Sequence, residues 1–326
     1  MNNVPPISLW RSAPVTASAS TLRALASSKH VFPSGRQALA QALEKARMTR
    51  KDRVALPEWS SHCVISACAH IATPIPISEI LRHGGTPAAV LIYEQWGWPF
   101  IPESYITIRN RFPRAIRLWD RVDSCDWLNR TSIESQHDFE VFSLSKQLGL
   151  PGGGLLRGPA GLEDAPSLPL SRLTRHLTGA EHLDSFEYSE YFKIHAEVPH
   201  PAVVRWLTSN DISSAIASEA TARRRNIATL LASGAASVWP TWMPAAITNG
   251  AAPGIVPFLR SAAPPLLETA ARLIMDEFGV AATIYNFNWS GDPLSPDYSR
   301  SLAIPVHGEI GADHLAAIFA RLHPRS

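Results

Sequence analysis

Lys146 stands in a short apolar stretch, "FSLSKQLGLPGGGLL", in which three consecutive glycines follow it at residues 152–154. A lysine is rarely buried without a partner, and a desolvated lysine has a lowered pKa and becomes a nucleophile toward carbonyl groups. Glycines after it would let the backbone approach a flat ligand closely. The stretch therefore predicts either a lysine that forms a Schiff base or a surface lysine on a glycine-rich turn.

Asp120 ends a second apolar stretch, "AIRLWD", which is typical of a buried strand. An unpaired carboxylate is costly to bury, so a cation from the protein or from a ligand is expected to meet it. The alternative is an aspartate that caps the turn after the strand.

Ser34, Gly35 and Arg36 open a third stretch, "PSGRQALAQALEKARM", whose apolar residues recur at helical spacing. The free N–H groups and the dipole of a helix N-terminus bind anions such as phosphate. Taken alone, a Ser-Gly pair before a helix is commonly an ordinary cap.

These three features together match the needs of one cofactor, pyridoxal phosphate (PLP). A protein that uses PLP must hold the phosphate, keep the ring nitrogen protonated with a carboxylate, and tether the aldehyde to a lysine. In chain order, the helix start at Ser34, the strand end at Asp120 and Lys146 supply these groups.

The elements that must position these residues alternate along the chain. The segments "HCVISACAHIA" and "PESYITIRNRF" are predicted helices, whereas "DRVALP", "AAVLIYE", "AIRLWD" and "FEVFSLSK" are predicted strands. Such alternation predicts a mainly parallel sheet covered on both faces, with ligands beyond the carboxyl ends of its strands.

The second half of the chain predicts a smaller C-terminal α/β unit. A long helix is expected from about Asp211, followed by the strands "GIVPFL" and "SLAIPV" and the helices "PPLLETAARLIMDEFG" and "GADHLAAIFARL". We predict a large PLP-binding domain with an N-terminal arm over residues 1–205 and a small domain over residues 206–326. Residues 1–30 are expected to contain one helix, and "FEYSEYFKIH" is a candidate for another.

Composition excludes several classes of function. The formal net charge is +2 and the basic residues are scattered, so nucleic-acid binding is not predicted, and "RRRN" (residues 223–226) is expected to be a solvated helix face. No apolar run reaches the ~18 residues of a membrane span, and the N-terminus lacks a basic signal region, which together predict a cytoplasmic protein. The three cysteines lack metal-site spacing and are expected to be reduced, and no metal site is predicted.

Several motifs resemble a known family, the DegT/DnrJ/StrS-type (sugar) aminotransferases, which are fold-type I PLP enzymes. "PSGRQALAQAL" is similar to the family's helix start, "LWDRVDS" to its carboxylate-bearing strand end, and "FSLSKQLGLPGGGLL" to its lysine segment. "DRVALP", "RRRN" and "LAIPVHGEI" resemble further helices and strands of the family. The resemblance implies an aspartate-aminotransferase-like large domain, a small C-terminal α/β domain, and a homodimer with the active site at the subunit interface.

The resemblance also implies roles for individual residues. Lys146 would carry the cofactor, Asp120 would meet the ring nitrogen and Ser143 would contact the phosphate. Asp123 stands near the cofactor, where the family more often has an amide or a histidine. The predicted cofactor-binding residues are Ser34, Gly35, Arg36, His62, Asp120, Asp123, Ser143 and Lys146.

Two sets of residues are predicted at the edges of the site. In "PEWSSHCV", His62 is the candidate for covering the cofactor ring, with a packed core histidine as the alternative. Tyr285 and Asn286, in "IYNFNW", fall where family members place a substrate-facing loop. The aromatic residues of "YEQWGWPF", including Trp96 and Trp98, are instead predicted to lie in the core or at an interface.

The predicted function is a PLP-dependent aminotransferase with Lys146 and Asp120 as catalytic residues. The resemblance implies glutamate or glutamine as amino donor and a carbonyl acceptor, such as a keto-sugar nucleotide or a related biosynthetic intermediate. Two alternatives stay open: a PLP enzyme with a different reaction, and a catalytically altered member that acts as a regulatory or binding module. The motivation for the second alternative is the unusual Asp123.

Overall fold

The structure is a computed structural model that describes residues 6–15, 30–99, 102–125, 139–158 and 199–323. Its larger sheet contains seven strands in the order β1-β7-β6-β5-β4-β2-β3. The five strands from β6 to β3 are parallel to one another, whereas β7 is antiparallel to both of its neighbours. The strands are β1 (His30–Phe32), β2 (Arg53–Leu56), β3 (Thr73–Pro76), β4 (Ala89–Tyr93), β5 (Ile116–Asp120), β6 (Phe139–Ser143) and β7 (Gly154–Arg157).

Helices cover both faces of this sheet because its central strands are apolar throughout. In β4, Leu91 packs in one cluster with Leu39, while Ile92 packs in another with Ile80 and Ile108. Neighbouring side chains of a strand point to opposite faces, so a run such as "AVLIY" buries both faces of the sheet. The helices of this part of the chain are α1 (Gly35–Lys45), α2 (His62–Ile71), α3 (Ile77–His83), α4 (Pro102–Arg111) and α5 (Leu144–Leu148).

A smaller antiparallel sheet, in the order β8-β10-β9, lies in the C-terminal part of the chain. Its core includes Phe258, Ile274, Phe287 and Ile304. The strands are β8 (Ile255–Phe258), β9 (Thr283–Asn288) and β10 (Tyr298–Pro305), and the helices are α6 (Pro201–Ser209), α7 (Ile212–Ala232), α8 (Trp242–Thr248), α9 (Pro264–Phe278) and α10 (Ala312–Leu322).

Helix α7 joins the two packing regions. Ile216, in its first half, packs with Leu144 and Leu148 of α5. Ile227 and Leu230, in its second half, pack in the core of the smaller sheet. The predicted domain boundary at residues 205–206 lies inside α6, and the division into two domains stays a prediction.

The predicted fold class is confirmed: the chain has a mixed α/β architecture with a large, mainly parallel sheet. Two details of the sequence analysis were wrong. The strand predicted over "FEVFSLSK" ends at Ser143, and Lys146 lies on helix α5 instead. The "RRRN" segment is not a solvated face, because Arg223 and Asn226 are fully buried.

Further predictions from the sequence concern two helices, two tryptophans and the absence of a membrane span. The candidate helix "FEYSEYFKIH" falls on residues 186–195, which lie outside the described residues. Of residues 1–30, where one helix is expected, the structure describes 6–15 and 30. Trp96 and Trp98 are buried in the core, as predicted. Among the described residues, no helix combines the length and the apolarity needed to cross a membrane.

Candidate active site

A cavity of about 820 Å³ opens at the carboxyl ends of three neighbouring strands. Tyr93, Asp120 and Ser143, the last residues of β4, β5 and β6, all line it. Carboxyl ends of parallel strands are the usual place for a ligand in such a sheet. Six residues predicted from the sequence share this cavity, namely Ser34, Gly35, Arg36, Asp120, Ser143 and Lys146.

Lys146 is held between a carboxylate and an aromatic ring. Its Nζ lies 2.9 Å from Asp123 Oδ1 and 4.5 Å from the centre of the Trp10 ring. Burial alone lowers the pKa of Lys146, but the negative charges of Asp123 and Asp120 outweigh it, and the net direction is upward. The lysine is therefore a paired ammonium group, and a third of its side chain remains exposed.

Asp123 is fully buried and accepts hydrogen bonds on its second oxygen. Tyr93 Oη donates to Asp123 Oδ2 at 2.7 Å, and the backbone N–H of Trp96 donates to the same atom at 3.2 Å. Burial, followed by the nearby Asp123 and Asp120 carboxylates, raises the pKa of Tyr93 well above its usual value. The phenol is thus a hydrogen-bond donor that fixes the carboxylate beside Lys146.

Asp120 is the second buried carboxylate of the site and is 2% exposed. It accepts one backbone hydrogen bond, from Val122 N–H to Oδ1 at 3.2 Å. Burial and the charge of Asp123 raise the pKa of Asp120 to about 7, against the opposite effect of Lys146. A carboxylate in this state lacks a sufficient cationic partner within the described protein, which is the situation that a protonated ring nitrogen would relieve.

The helix start predicted to hold a phosphate lies on the same cavity. Ser34 is the N-cap of the 11-residue helix α1, and its Oγ accepts from the N–H of Gln37 at 3.3 Å. A Cβ atom added at Gly35 would lie 3.0 Å from Val122 Cγ1, so the backbone approaches the cavity wall more closely than a larger residue allows. Ser143 and Ser145, whose hydroxyl oxygens are 3.0 Å apart, line the cavity too.

The three glycines after Lys146 have a packing role in addition to the ligand approach predicted from the sequence. Gly152 lines the cavity. A Cβ atom at Gly154, however, would lie 2.2 Å from the carbonyl oxygen of Ser34. Strand β7 therefore packs directly on the Ser34–Gly35 turn, and this contact requires glycine.

A buried ion pair fixes the backbone beneath the site, and the sequence analysis missed it. Arg223 Nε lies 2.8 Å from Glu219 Oε1. The Arg223 guanidinium also donates to the carbonyl oxygens of Asp123 and Lys146, at 2.9 and 3.3 Å. The signal that could have revealed the pair was the spacing of four residues between an acid and a base on a predicted helix.

Gln147 fixes the same loop from another direction. Its Nε2 donates to the carbonyl oxygens of Arg121 and Ser124, at 2.8 and 2.7 Å. Because Asp123 lies between these two residues, Gln147 and Arg223 together hold the loop that carries Asp123, directly after Asp120 at the end of β5.

The remaining predicted residues do not line the cavity. His62 is exposed at the start of α2, and its neighbour Cys63 lines the cavity instead. Tyr285 and Asn286 lie in strand β9 rather than in the predicted loop, and Tyr285 packs edge-on against Trp96. The roles of these three predicted residues are not tested by this arrangement and stay predictions.

The residues present fit PLP by their chemistry. Lys146 is an amine for the aldehyde, Asp120 is an incompletely paired carboxylate for the ring nitrogen, and the start of α1 offers N–H groups for the phosphate. The side chains of Ser34 and Ser143, which line the cavity, add hydroxyl groups. Among the described residues, no group of His, Cys, Asp and Glu side chains is arranged to hold a metal ion.

Comparisons with known proteins agree with this assignment. Residues 22–159 match the family model described as "Putative PLP-dependent aminotransferase". The matched segment includes Ser34, Asp120, Asp123 and Lys146. The enzyme class and the cofactor predicted from the sequence agree with that match. No curated protein matches the chain.

Solved structures show the fold over nearly the whole chain. A DegT/DnrJ/EryC1/StrS aminotransferase from Brucella abortus has a TM-score of 0.58 at 14% identity, covering 91% of this chain and 86% of its own. The structure titled "Putative sugar aminotransferase Spr1654 from Streptococcus pneumoniae, PLP-form" has a TM-score of 0.57 at 14% identity, covering 96% and 92%.

A third structure, DesV of S. venezuelae in complex with a ketimine intermediate, has a TM-score of 0.55 at 14% identity, covering 91% of this chain and 85% of its own. The chain therefore has the fold of the fold-type I PLP aminotransferases, and the predicted resemblance to the DegT/DnrJ/StrS type is confirmed at the level of fold.

Proposed function

We propose that the protein uses Lys146 as the cofactor-bearing lysine of a PLP-dependent aminotransferase. The observation that carries the proposal is the placement of Lys146, Asp120 and the start of helix α1 around one cavity. Each of these three groups has a separate role toward PLP, and each comes from a different segment of the sequence.

When bound, PLP supplies an electron-accepting ring for removal of the proton from the α-carbon of an amino acid. The residues of the chain position that chemistry. The carboxylate of Asp120 keeps the ring nitrogen protonated. The N–H groups of α1, with the hydroxyls of Ser34 and Ser143, hold the phosphate.

Lys146, as a free amine, would be the base that moves the proton of the substrate α-carbon. A neutral amine is required for that step, because an ammonium group has no free electron pair. Lys146, a third of whose side chain is exposed, can lose its proton to water, while Asp123, 2.9 Å from Nζ, holds the nitrogen in position. Tyr93 holds the carboxylate in place during this transfer through its 2.7 Å hydrogen bond.

The substrates are proposed from the family resemblance. We infer glutamate or glutamine as the amino donor and a keto-sugar nucleotide, or a related biosynthetic carbonyl compound, as the acceptor. Support comes from the fold shared with the structure titled "Putative sugar aminotransferase Spr1654 from Streptococcus pneumoniae, PLP-form". His62, Tyr285 and Asn286 are retained as weaker proposals for contacts to the cofactor and the substrate.

We also propose that the protein acts as a cytoplasmic homodimer with the active site at the subunit interface. Two large apolar side chains near the start of α2 are exposed, Trp59 at 57% and Ile65 at 38%. A second copy of the chain that covers them would enclose the cavity, which Ser60, Ser61 and Cys63 line on the same side. Sedimentation analysis of the purified protein tests the dimer.

A second candidate function is a regulatory or binding module, and the ion pair between Lys146 and Asp123 favours it. A lysine held as an ammonium group is a poor nucleophile, and a fixed pair of this kind would preserve the fold without supporting turnover.

The deciding experiment is a visible absorption spectrum of the purified protein with PLP, before and after glutamate or glutamine. An absorption band of lysine-bound PLP that disappears with the donor is expected for an aminotransferase. Lys146→Ala should never form the band. A wild-type protein that forms no band would exclude the proposed enzyme, whereas a band that no donor removes would favour the binding module or a different PLP reaction.

A further inference from the structure

Residues 6–15, which we call the strap, cross from the turn after helix α9 to helix α5. At one end, the N–H of Ile7 donates to the carbonyl oxygen of Gly279 at 2.8 Å. At the other end, the N–H of Val15 donates to the carbonyl oxygen of Leu148 at 3.1 Å, and Trp206 Nε1 donates to that of Val15 at 3.1 Å. The strap is thus fixed at both ends by backbone contacts.

The middle of the strap is fixed by a carboxylate and a histidine of the C-terminal part of the chain. Glu309 accepts hydrogen bonds from the backbone N–H groups of Ser12 and Ala13. His307 Nε2 lies 2.9 Å from the carbonyl oxygen of Ser8. Trp10 lies between these two anchored positions, so the backbone determines where its side chain can reach.

Two consecutive residues of the strap reach Lys146 by separate routes. The Trp10 ring centre lies 4.5 Å from Lys146 Nζ, within the range of a cation–π interaction. Arg11 pairs with Glu219 at 2.9 Å, and Glu219 pairs with Arg223, which donates to the carbonyl oxygen of Lys146. The first route acts on the side chain of the lysine and the second acts on its backbone.

We propose that the strap is part of the active site and that Trp10 is a positioning residue, which holds the Lys146 ammonium group beside Asp123. The face of an indole ring carries negative electrostatic potential, so it attracts an ammonium group and not a neutral amine. Trp10 would therefore favour the ammonium form of Lys146, in which it is paired with Asp123. This inference depends on the proposed function in one respect, the identification of Lys146 as the reactive amine.

The test measures the charge state of Lys146 directly and requires neither cofactor nor turnover. The full chain is acetylated briefly with acetic anhydride over a range of pH, and the extent of reaction at each lysine is read by mass spectrometry. Only the neutral amine reacts, so the pH midpoint reports how strongly the ammonium form is held. Lys51, which is exposed, is an internal reference in every sample.

Trp10→Leu keeps an apolar side chain but removes the aromatic face. We expect the midpoint of Lys146 to move to lower pH by about half a unit, the size of a cation–π interaction at a partly exposed site. Trp10→Phe, which keeps an aromatic face, should have a midpoint close to that of the wild type. The charged and titratable groups facing Lys146, which are Asp123, Asp120 and Cys63, are unchanged in both variants.

Trp206→Phe is the matched control, because it removes an anchor of the strap at Val15 but keeps the contacts of Glu309 and His307 that flank Trp10. An unchanged Lys146 midpoint in folded Trp10→Leu would overturn the proposal, as would an equal shift in Trp206→Phe. Because the assay contains no PLP, a protein without aminotransferase activity can still show the predicted shift, and the two proposals fail separately.

Discussion

Lys146 Nζ lies 2.9 Å from Asp123 Oδ1, so the lysine of the site is paired with the carboxylate three residues beyond the end of β5. Asp123 is itself fixed by Tyr93 and by the backbone N–H of Trp96. The sequence analysis placed Asp123 near the cofactor as a departure from the family pattern. The structure gives that departure a definite contact, because a neutral amide at this position would leave the ammonium group without its nearest anion.

Asp123→Asn is therefore expected to lower the pKa of Lys146. Burial lowers this pKa, and Asp123 is the largest influence that raises it. With the anion removed, burial dominates and the amine becomes neutral at lower pH. The rate at which added PLP develops its absorption band should then show a pH profile shifted downward by about one unit or more, as for the loss of a close opposite charge.

An exposed carboxylate is the control for that shift. Asp52→Asn removes a negative charge from a turn in which Asp52 accepts from Thr49, and it should leave the profile unchanged. If the pH profile of Asp123→Asn coincided with that of the wild type, or were shifted to higher pH, the pairing of Lys146 with Asp123 would be contradicted.

Asp120→Asn is expected to stabilise the cofactor-free protein at alkaline pH while weakening PLP binding. The pKa of Asp120 is about 7 in the folded chain, against an ordinary value of 3.8. Between these values the folded state retains a proton that the unfolded state has lost, so the Asp120 contribution to stability falls as the pH rises toward 7. Asparagine does not titrate and avoids the burial of a charge.

Urea unfolding without PLP at pH 5 and pH 8 measures this effect. We expect the variant to gain about 1–3 kcal/mol relative to wild type at pH 8, with a smaller gain at pH 5. An equal difference at both pH values would mean that Asp120 does not titrate in this window. If the more stable variant bound PLP more weakly, the Asp120 carboxylate would have a role in binding PLP that comes at a cost in stability.

Much of the site was predictable because its residues lie at the ends of local elements. The apolar run "AIRLWD" and the Ser34 cap each specify an element without reference to the rest of the chain. The alternation of helices and strands then places their ends at one edge of the sheet. Lys146 was placed at that edge, although the strand predicted to carry it ends at Ser143 and a helix of five residues follows.

Apart from the Glu219–Arg223 ion pair on helix α7, the contacts that were missed join segments far apart in the sequence. Arg223 lies 77 residues from the carbonyl that it binds at Lys146, and 100 residues from that at Asp123. A cluster of arginines on a helix is usually solvated, and only the packing of α7 against the loop after β5 determines that one of them is buried. The position of Trp10 above Lys146 depends in the same way on the course of the strap, which its composition does not specify.

Ser34→Ala separates the phosphate role of α1 from its capping role. Loss of the hydrogen bond from Gln37 N–H to Ser34 Oγ should destabilise the protein by about 1 kcal/mol. If the hydroxyl also contacts phosphate, affinity for PLP should fall by more than affinity for pyridoxal, which lacks the phosphate. Equilibrium titration with each compound, followed by absorbance, gives the ratio.

Asp211→Ala is the matched variant for that comparison. Asp211 caps α7 through the N–H groups of Ser213 and Ser214, and it does not line the cavity. Both variants should lose stability, but only Ser34→Ala should change the ratio of the two affinities. An unchanged ratio would mean that Ser34 caps helix α1 but does not contact the phosphate.

Gly154→Ala tests whether the glycines after Lys146 shape the Ser34–Gly35 turn, which is proposed to bind the phosphate. The added methyl group would meet the Ser34 carbonyl oxygen at 2.2 Å and Gly35 N at 2.7 Å, and both are backbone atoms with no rotamer to change. Strand β7 and the turn must separate, so we expect a loss of about 1–3 kcal/mol in stability together with weaker PLP binding.

Gly84→Ala provides the comparison for a glycine required only by its backbone angle. Gly84 has a φ of +75° and nothing within 4 Å of an added Cβ. It should lose about 1–2 kcal/mol from the left-handed conformation while keeping the wild-type affinity for PLP. Urea unfolding and PLP titration of both variants check the contrast. If Gly154→Ala bound PLP as tightly as Gly84→Ala, the close packing of β7 on the Ser34 turn would be a feature of the fold without a part in the site.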